Sequence, residues 1–298
     1  MGTIADKLTY LSDTKTAIKD AIVAKGVSVA DTDTFRSYAD KVAEIQTKKI
    51  GVSIGNIVGD ISSNGTYVPP SEPYTLDLTG VKTVGDRGFQ YAFYGDKTID
   101  KVIANDITSV GTYGFAYAFA NAPKLSRVSF DGIEEIDSAH AFYYFLYNTL
   151  SPEYAYVSFA KLKKITGDFA FSYAFGGRPI KSIPTMDEMF PVLEEITGER
   201  AFQSAFRPDA GNVITFSKIK KITGGTATTK ATITLTSSVR NTIWNFPSAT
   251  EFTGYVWNMS TSYPGEIHFA AANQSAIEAC EGYSYKWGFQ GATIYFDL

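Results

Sequence analysis

A motif recurs about every 26 residues, with insertions, from roughly residue 76 onward, and this period restricts the possible folds more than any other feature. Its fullest copy reads Leu125-x-x-Val128-x-Phe130-x-x-Ile133-x-x-Ile136, closed by Ala141-Phe142. The apolar anchor before the loop falls at Val81, Ile107, Ile133, Leu162, Leu193, Ile219 and Ala249. A unit this short cannot enclose a core, so a fixed period in this range predicts a solenoid whose repeats bury their apolar faces on one another. Stacked repeats present long surfaces, which points toward recognition before catalysis.

Each copy contains a short segment of alternating residues: Val102-x-Ala104, Val128-x-Phe130, Val157-x-Phe159, Ile214-x-Phe216, Trp244-x-Phe246, Ile267-x-Phe269 and Ile294-x-Phe296. Period-two alternation predicts β-strands that send these pairs inward and their middle residues outward. Phe89, Phe115, Phe142, Phe171 and Phe202 follow, and four residues later stand Phe93, Phe119, Leu146, Phe175 and Phe206. That spacing predicts a short helical turn with both side chains on the core face, which accounts for most of the phenylalanine excess. Pro179 to Met189 reads as an insertion, and the copy after Ile222 loses its Phe pair. Asn273 to Glu281 and the strand to Phe296 read as a cap over the last core layer.

The first 50 residues have a different period. Ile4, Leu8, Leu11, Lys15, Ile18 and Ile22 follow alternating four- and three-residue steps, the seam of a coiled coil, within a helix predicted over 3–25. Gly26 suits a C-terminal cap, and Asp31 to Thr34 supply N-cap residues for a second helix carrying Phe35, Tyr38, Val42 and Ile45. A helical hairpin over 1–50 is too small to bury much core alone, so it is expected to dock or oligomerise. Residues 51–75 are rich in Gly and Pro and read as a connector, with a small hairpin around Asn64-Gly65. The repeat domain then occupies 76–298.

Several functions are disfavoured. The net charge of −4 gives no basic stripe for nucleic acid or an anionic membrane. No apolar run is long enough to span a bilayer, and the start lacks the features of a signal peptide. Cys280 is the lone cysteine and His140 and His268 the only histidines, so neither a metal cage nor a His-based triad is expected; both histidines read as surface or loop residues. No phosphate-binding glycine loop occurs, and Gly224-Gly225 reads as a turn. Glu134-Glu135 and Glu194-Glu195 share a repeat position with Lys163-Lys164 and Lys220-Lys221, a pattern expected from ion pairing between repeats. No catalytic residue, metal or cofactor is therefore assigned.

Two ladders are candidate binding surfaces. Tyr91, Tyr117, Tyr144 and Tyr173 stand two residues after each repeat Phe, with Ser204 in the next copy. They form either a platform for sugar rings or a protein, or a layer shielding the core. Ser129, Ser158, Thr215, Asn245 and His268 are the outward residues of the strands and would line a concave floor.

The pattern Leu125-x-x-Val128-x-Phe130-x-x-Ile133-x-x-Ile136, repeated as Val157-x-Phe159-x-x-Leu162-x-x-Ile165 with Ala170-Phe171, resembles the bacterial surface-antigen branch of the leucine-rich repeats. The stretches Leu11-x-x-Thr14-Lys15-x-x-Ile18-Lys19, Ala24-Lys25-Gly26-Val27 and Phe35-Arg36-x-Tyr38-Ala39-x-Lys41-Val42 resemble a module of bacteriophage tail and fibre proteins, as does Ile61 to Tyr67. The resemblance implies an α+β chain: a helical hairpin or short coiled coil, then a leucine-rich-repeat solenoid with short β-strands. It implies a virion protein made in the host cytoplasm. Residues 1–50 would join other virion proteins or form a homo-oligomer, and the repeats would bind a host-surface glycan or protein. A bacterial adhesin or a polysaccharide-cleaving enzyme are the rival expectations.

Overall fold

The computed structural model describes residues 3–24, 28–47, 71–149, 156–176, 186–206, 213–223, 233–234, 243–253, 257–258, 265–280, 289–290 and 292–298. The chain divides into two compact units, Met1–Gly51 and Val52–Leu298. Lys25, the Gly26 cap, the side chain of Ile45, the connector up to residue 70, the first part of the insertion (179–185), Gly224-Gly225 and residues 281–288 lie outside the described residues.

In the first unit, α1 (Ile4–Ala24) begins with a reciprocal cap. The Thr3 amide donates to Asp6 Oδ2 at 2.6 Å and the Asp6 amide to Thr3 Oγ1 at 3.2 Å, satisfying two amides that the first turn otherwise leaves open. A 3₁₀ turn, Phe35–Ser37, leads into α2 (Tyr38–Thr47). Ile22 packs with Val29 and Tyr38, and Ile18 flanks them, so the C-terminal half of the α1 seam is closed within the chain. Lys15 lies 5.8 Å over the Tyr38 ring, and Lys19 pairs with Asp31. Ile4, Leu8 and Leu11 are 78%, 62% and 57% exposed, leaving the other half of the seam open.

The second unit is a parallel β-solenoid. Strands from successive repeats pair in register without reversing: Val102 with Val128, Val128 with Val157, then Ile214 with Trp244, Trp244 with Ile267 and Ile267 with Ile294. Between these sheets, the short helix α3 (Met186–Met189) takes a strand's place, with the Phe159 amide donating to the Met189 carbonyl at 2.8 Å. A second row of strands follows the anchors, pairing Ile136 with Ile165, Ile196, Ile222 and Phe252 in turn. Every anchor from Val81 to Ala249 and every member of the Phe pairs is buried, forming one core along the axis. Near the C-terminus, α4 (Gln274–Glu278) adds Ile277 to that core.

The segment holding the Phe pairs is not the expected helical turn. It is a ribbon of consecutive tight turns. The amides of Gly88, Gln90, Ala92 and Tyr94 each bond the carbonyl three residues back, at 3.0–3.2 Å. The residues between them donate instead to the next repeat: Phe89 to Gly114, Tyr91 to Ala116 and Phe93 to Ala118, at 2.7–3.0 Å. An α-helix would spend all its amides internally; here every second one is available to tie repeats together. The four-residue spacing of the Phe pair is right, and the conformation behind it is different.

Candidate functional site

The turn ribbon needs a positive φ at every fourth residue, and mostly non-glycine residues supply it. Twelve described non-glycine residues have positive φ, all in the ribbon. Arg87, Tyr113, His140, Phe169 and Arg200 form one column; Tyr91, Tyr117, Tyr144, Tyr173 and Ser204 form a second; Asn121 and Asn148 stand in a third, continued backward by Gly95. A left-handed L-residue costs roughly 1–2 kcal/mol. The ribbon offsets this with forward amide bonds and, for the aromatic members of the first two columns, ring stacking, each worth about 1 kcal/mol.

The tyrosine ladder therefore points outward. Its rings stack face to face, with centroids 4.5, 4.7 and 4.5 Å apart and planes within 9–14° of parallel. Tyr91 is 39% exposed and the others are half-buried. Tyr143 meets Tyr117, Tyr144 and Tyr173 edge-on, Tyr147 leans on Tyr144, and Tyr94 leans on Tyr91. Burial, first of all, pushes the hydroxyls of Tyr117, Tyr143 and Tyr144 above the usual phenol range, so they stay protonated.

The neighbouring column is a second ladder that the sequence reading missed. His140 is sandwiched between Tyr113 at 4.4 Å and Phe169 at 4.8 Å, both nearly parallel to it. Arg87 and Arg200 close the two ends, over Tyr113 at 6.0 Å and Phe169 at 5.2 Å. His140 lies in a turn, as expected, and is half-buried between two rings. Desolvation lowers its pKa below 6.5, against the opposing pull of Asp168. The signal was present: each member lies four residues before a ladder tyrosine or Ser204.

The strand-face row is only partly as expected. Ser129 and Ser158 are 4% and 3% exposed, so they are not the floor of an open surface. Ser158 donates to Asp131 of the preceding repeat, whose carboxylate also accepts from the Ala160 amide at 3.0 Å. Thr215, Asn245 and His268 are half-buried, with the Asn245 amide 3.4 Å from Thr215 Oγ1. The His268 ring stacks on Tyr295 at 4.7 Å, with Nδ1 2.7 Å from Asp297 and Nε2 3.3 Å from Glu266. Both nitrogens face carboxylates, which fix the orientation of the ring.

The Glu/Lys positions pair between repeats as expected. Glu135, Lys164, Glu195, Lys221 and Glu251 are in register across one sheet, and Lys164–Glu195 and Lys221–Glu251 close at 3.3 and 2.9 Å. Lys163–Glu134 and Lys220–Glu194 form a parallel row, both at 3.0 Å. A cleft of about 370 Å³ lies at one end, lined by Thr108, Ser109, Gly132, Glu134, Glu135 and Asp137. Among the described residues, no three His, Cys, Asp or Glu side chains are grouped to hold a metal ion, and no described helix is long and apolar enough to cross a membrane.

Of the expected site residues, the structure brings together the tyrosines, splits the strand-face row between two separate sheets, and leaves half the helical seam exposed.

No family model, curated protein or solved structure matches the chain. The aromatic face is the most distinctive surface the described residues offer.

Proposed function

We propose that this chain is a structural, non-enzymatic component of a phage or phage-like particle, part of a tail, baseplate or fibre. Residues 1–50 join it to other virion proteins or to further copies of itself, as a short coiled coil. The solenoid, of the leucine-rich-repeat type of bacterial surface antigens, binds a host-surface ligand or another virion protein. The protein is made in the host cytoplasm and acts in the assembled particle.

The observation that carries this reading is the row Tyr91, Tyr117, Tyr144 and Tyr173: rigid, outward and held at one position in successive repeats. Tyrosine supplies large contact area with few rotatable bonds and a polar tip, the properties that recognition surfaces concentrate. The exposed stripe of Ile4, Leu8 and Leu11 supports attachment through α1, because an apolar helix face left in water is stabilised by a partner.

Immunogold labelling of purified particles with an antibody against residues 76–298 tests it. Gold at the tail tip or on projections is the expected result. If the protein is absent from particles, the virion reading fails and a bacterial surface adhesin takes its place. New reducing ends from host capsule or wall glycan incubated with pure protein would overturn the non-enzymatic assignment.

A further inference from the structure

The recognition reading leaves the chemistry of the ligand open between glycan and protein, and the ladder geometry separates them. A sugar ring docks on an aromatic side chain by laying its C–H face over the ring face. Between the two ends of this ladder both faces of each ring are occupied. Tyr117 lies between Tyr91 and Tyr144, and Tyr144 between Tyr117 and Tyr173, at 4.5–4.7 Å on each side. No gap of that size admits a sugar. The column beside it is closed in the same way, with His140 between Tyr113 and Phe169 and both end rings covered by Arg87 and Arg200.

What remains outward is a corrugated field of ring edges and hydroxyls: Tyr91, Tyr94, Tyr117, Tyr144 and Tyr147, with Arg87 and Arg200 at its margins. Ring edges carry the positive end of the aromatic quadrupole and pack against carbonyls, carboxylates and other rings. Tyr and Arg around a half-desolvated centre are the residues that carry energy in protein–protein contacts, whereas Lys and Glu are depleted there. Four Lys–Glu pairs of this solenoid lie instead along the paired-charge sheet. The stacks also fix the rotamers in advance, which lowers the ordering entropy that association otherwise costs.

We infer that the tyrosine face takes a folded protein surface and not a glycan, an inference that rests on the recognition reading above.

The test uses the full chain, fluorescently labelled, on host cells left intact, treated with periodate to destroy vicinal diols, or shaved with proteinase K. Binding should survive periodate and be lost after proteinase K. Tyr117→Ala and Tyr94→Ala, whose ring lies outside the stack, should each weaken it about thirtyfold, the size of a single hot-spot loss. Circular dichroism of Tyr94→Ala should be unchanged, which separates lost contact from lost folding. Binding that disappears with periodate and resists proteinase K would overturn the inference and leave recognition intact. Unchanged binding by both variants would move the contact to another face. No binding to untreated cells would instead bring down the host-recognition reading beneath it.

Discussion

Phe142 shows how much one side chain carries. It is fully buried and touches Phe115 and Phe171 of the adjacent repeats face to face, at 5.5 and 5.1 Å, and Phe130, Phe145 and Phe159 edge-on. Phe142→Ala should cost roughly 3–5 kcal/mol by urea denaturation; an unchanged midpoint would refute the stacked core. His140 gives a pH prediction. Its folded pKa lies below the unfolded 6.5, so the folded state favours the neutral ring. That contribution is complete above pH 6.5 and is lost as the pH falls through the folded value. The wild-type melting temperature should therefore drop more between pH 7.5 and pH 5 than that of His140→Phe, which carries the residue found at the same column position in the next repeat. Equal drops would mean that the ring is solvated.

At the scale of the element, the strands and anchors were legible because alternation and period both report burial directly. The ribbon was not. A four-residue spacing is shared by a helix and by a chain of turns, and the usual mark of a positive φ, glycine, is mostly replaced by Tyr, Asn and Arg. The strand-face row failed for another reason. Alternation says that Ser129 and Ser158 leave the core side, but not that both are buried there or that Asp131 caps Ser158. Glycine does matter where backbones touch. A Cβ on Gly198 would lie 2.1 Å from the Gly167 carbonyl oxygen of the repeat before it, and one on Gly167 would lie 2.3 Å from that of Ser138. Gly198→Ala should destabilise by at least ~1–3 kcal/mol, read from its unfolding curve. In the charged row, Lys164→Glu sets like charges opposite one another at Glu135 and Glu195. A loss of about 1 kcal/mol, partly recovered in 1 M NaCl, is expected.

For the whole molecule, the tyrosine surface could be read as a row from spacing alone, while its outward aim and closed ring faces needed the backbone. The helical seam was legible as a seam, but not its division. Ile18 and Ile22 are used within the chain, while Ile4, Leu8 and Leu11 stay exposed. Leu8→Asp combined with Leu11→Asp should convert any oligomer to monomer in sedimentation velocity without moving the solenoid's melting transition. A species unchanged in mass would show that assembly, if any, runs through another surface.

The direction of the ribbon's hydrogen bonds has a consequence for how such a molecule changes length. Phe89 donates to Gly114, Phe115 to Ala141, Phe142 to Ala170 and Phe171 to Ala201, always from one repeat to the following one. Each unit gives ahead and receives from behind, so these members are interchangeable links. A whole unit duplicated in tandem finds every donor and acceptor already facing the right way, and lengthens the tyrosine row by one ring. A partial unit breaks the sequence of links. Copy number is then the simplest variable by which a lineage could resize its contact surface while keeping the same architecture.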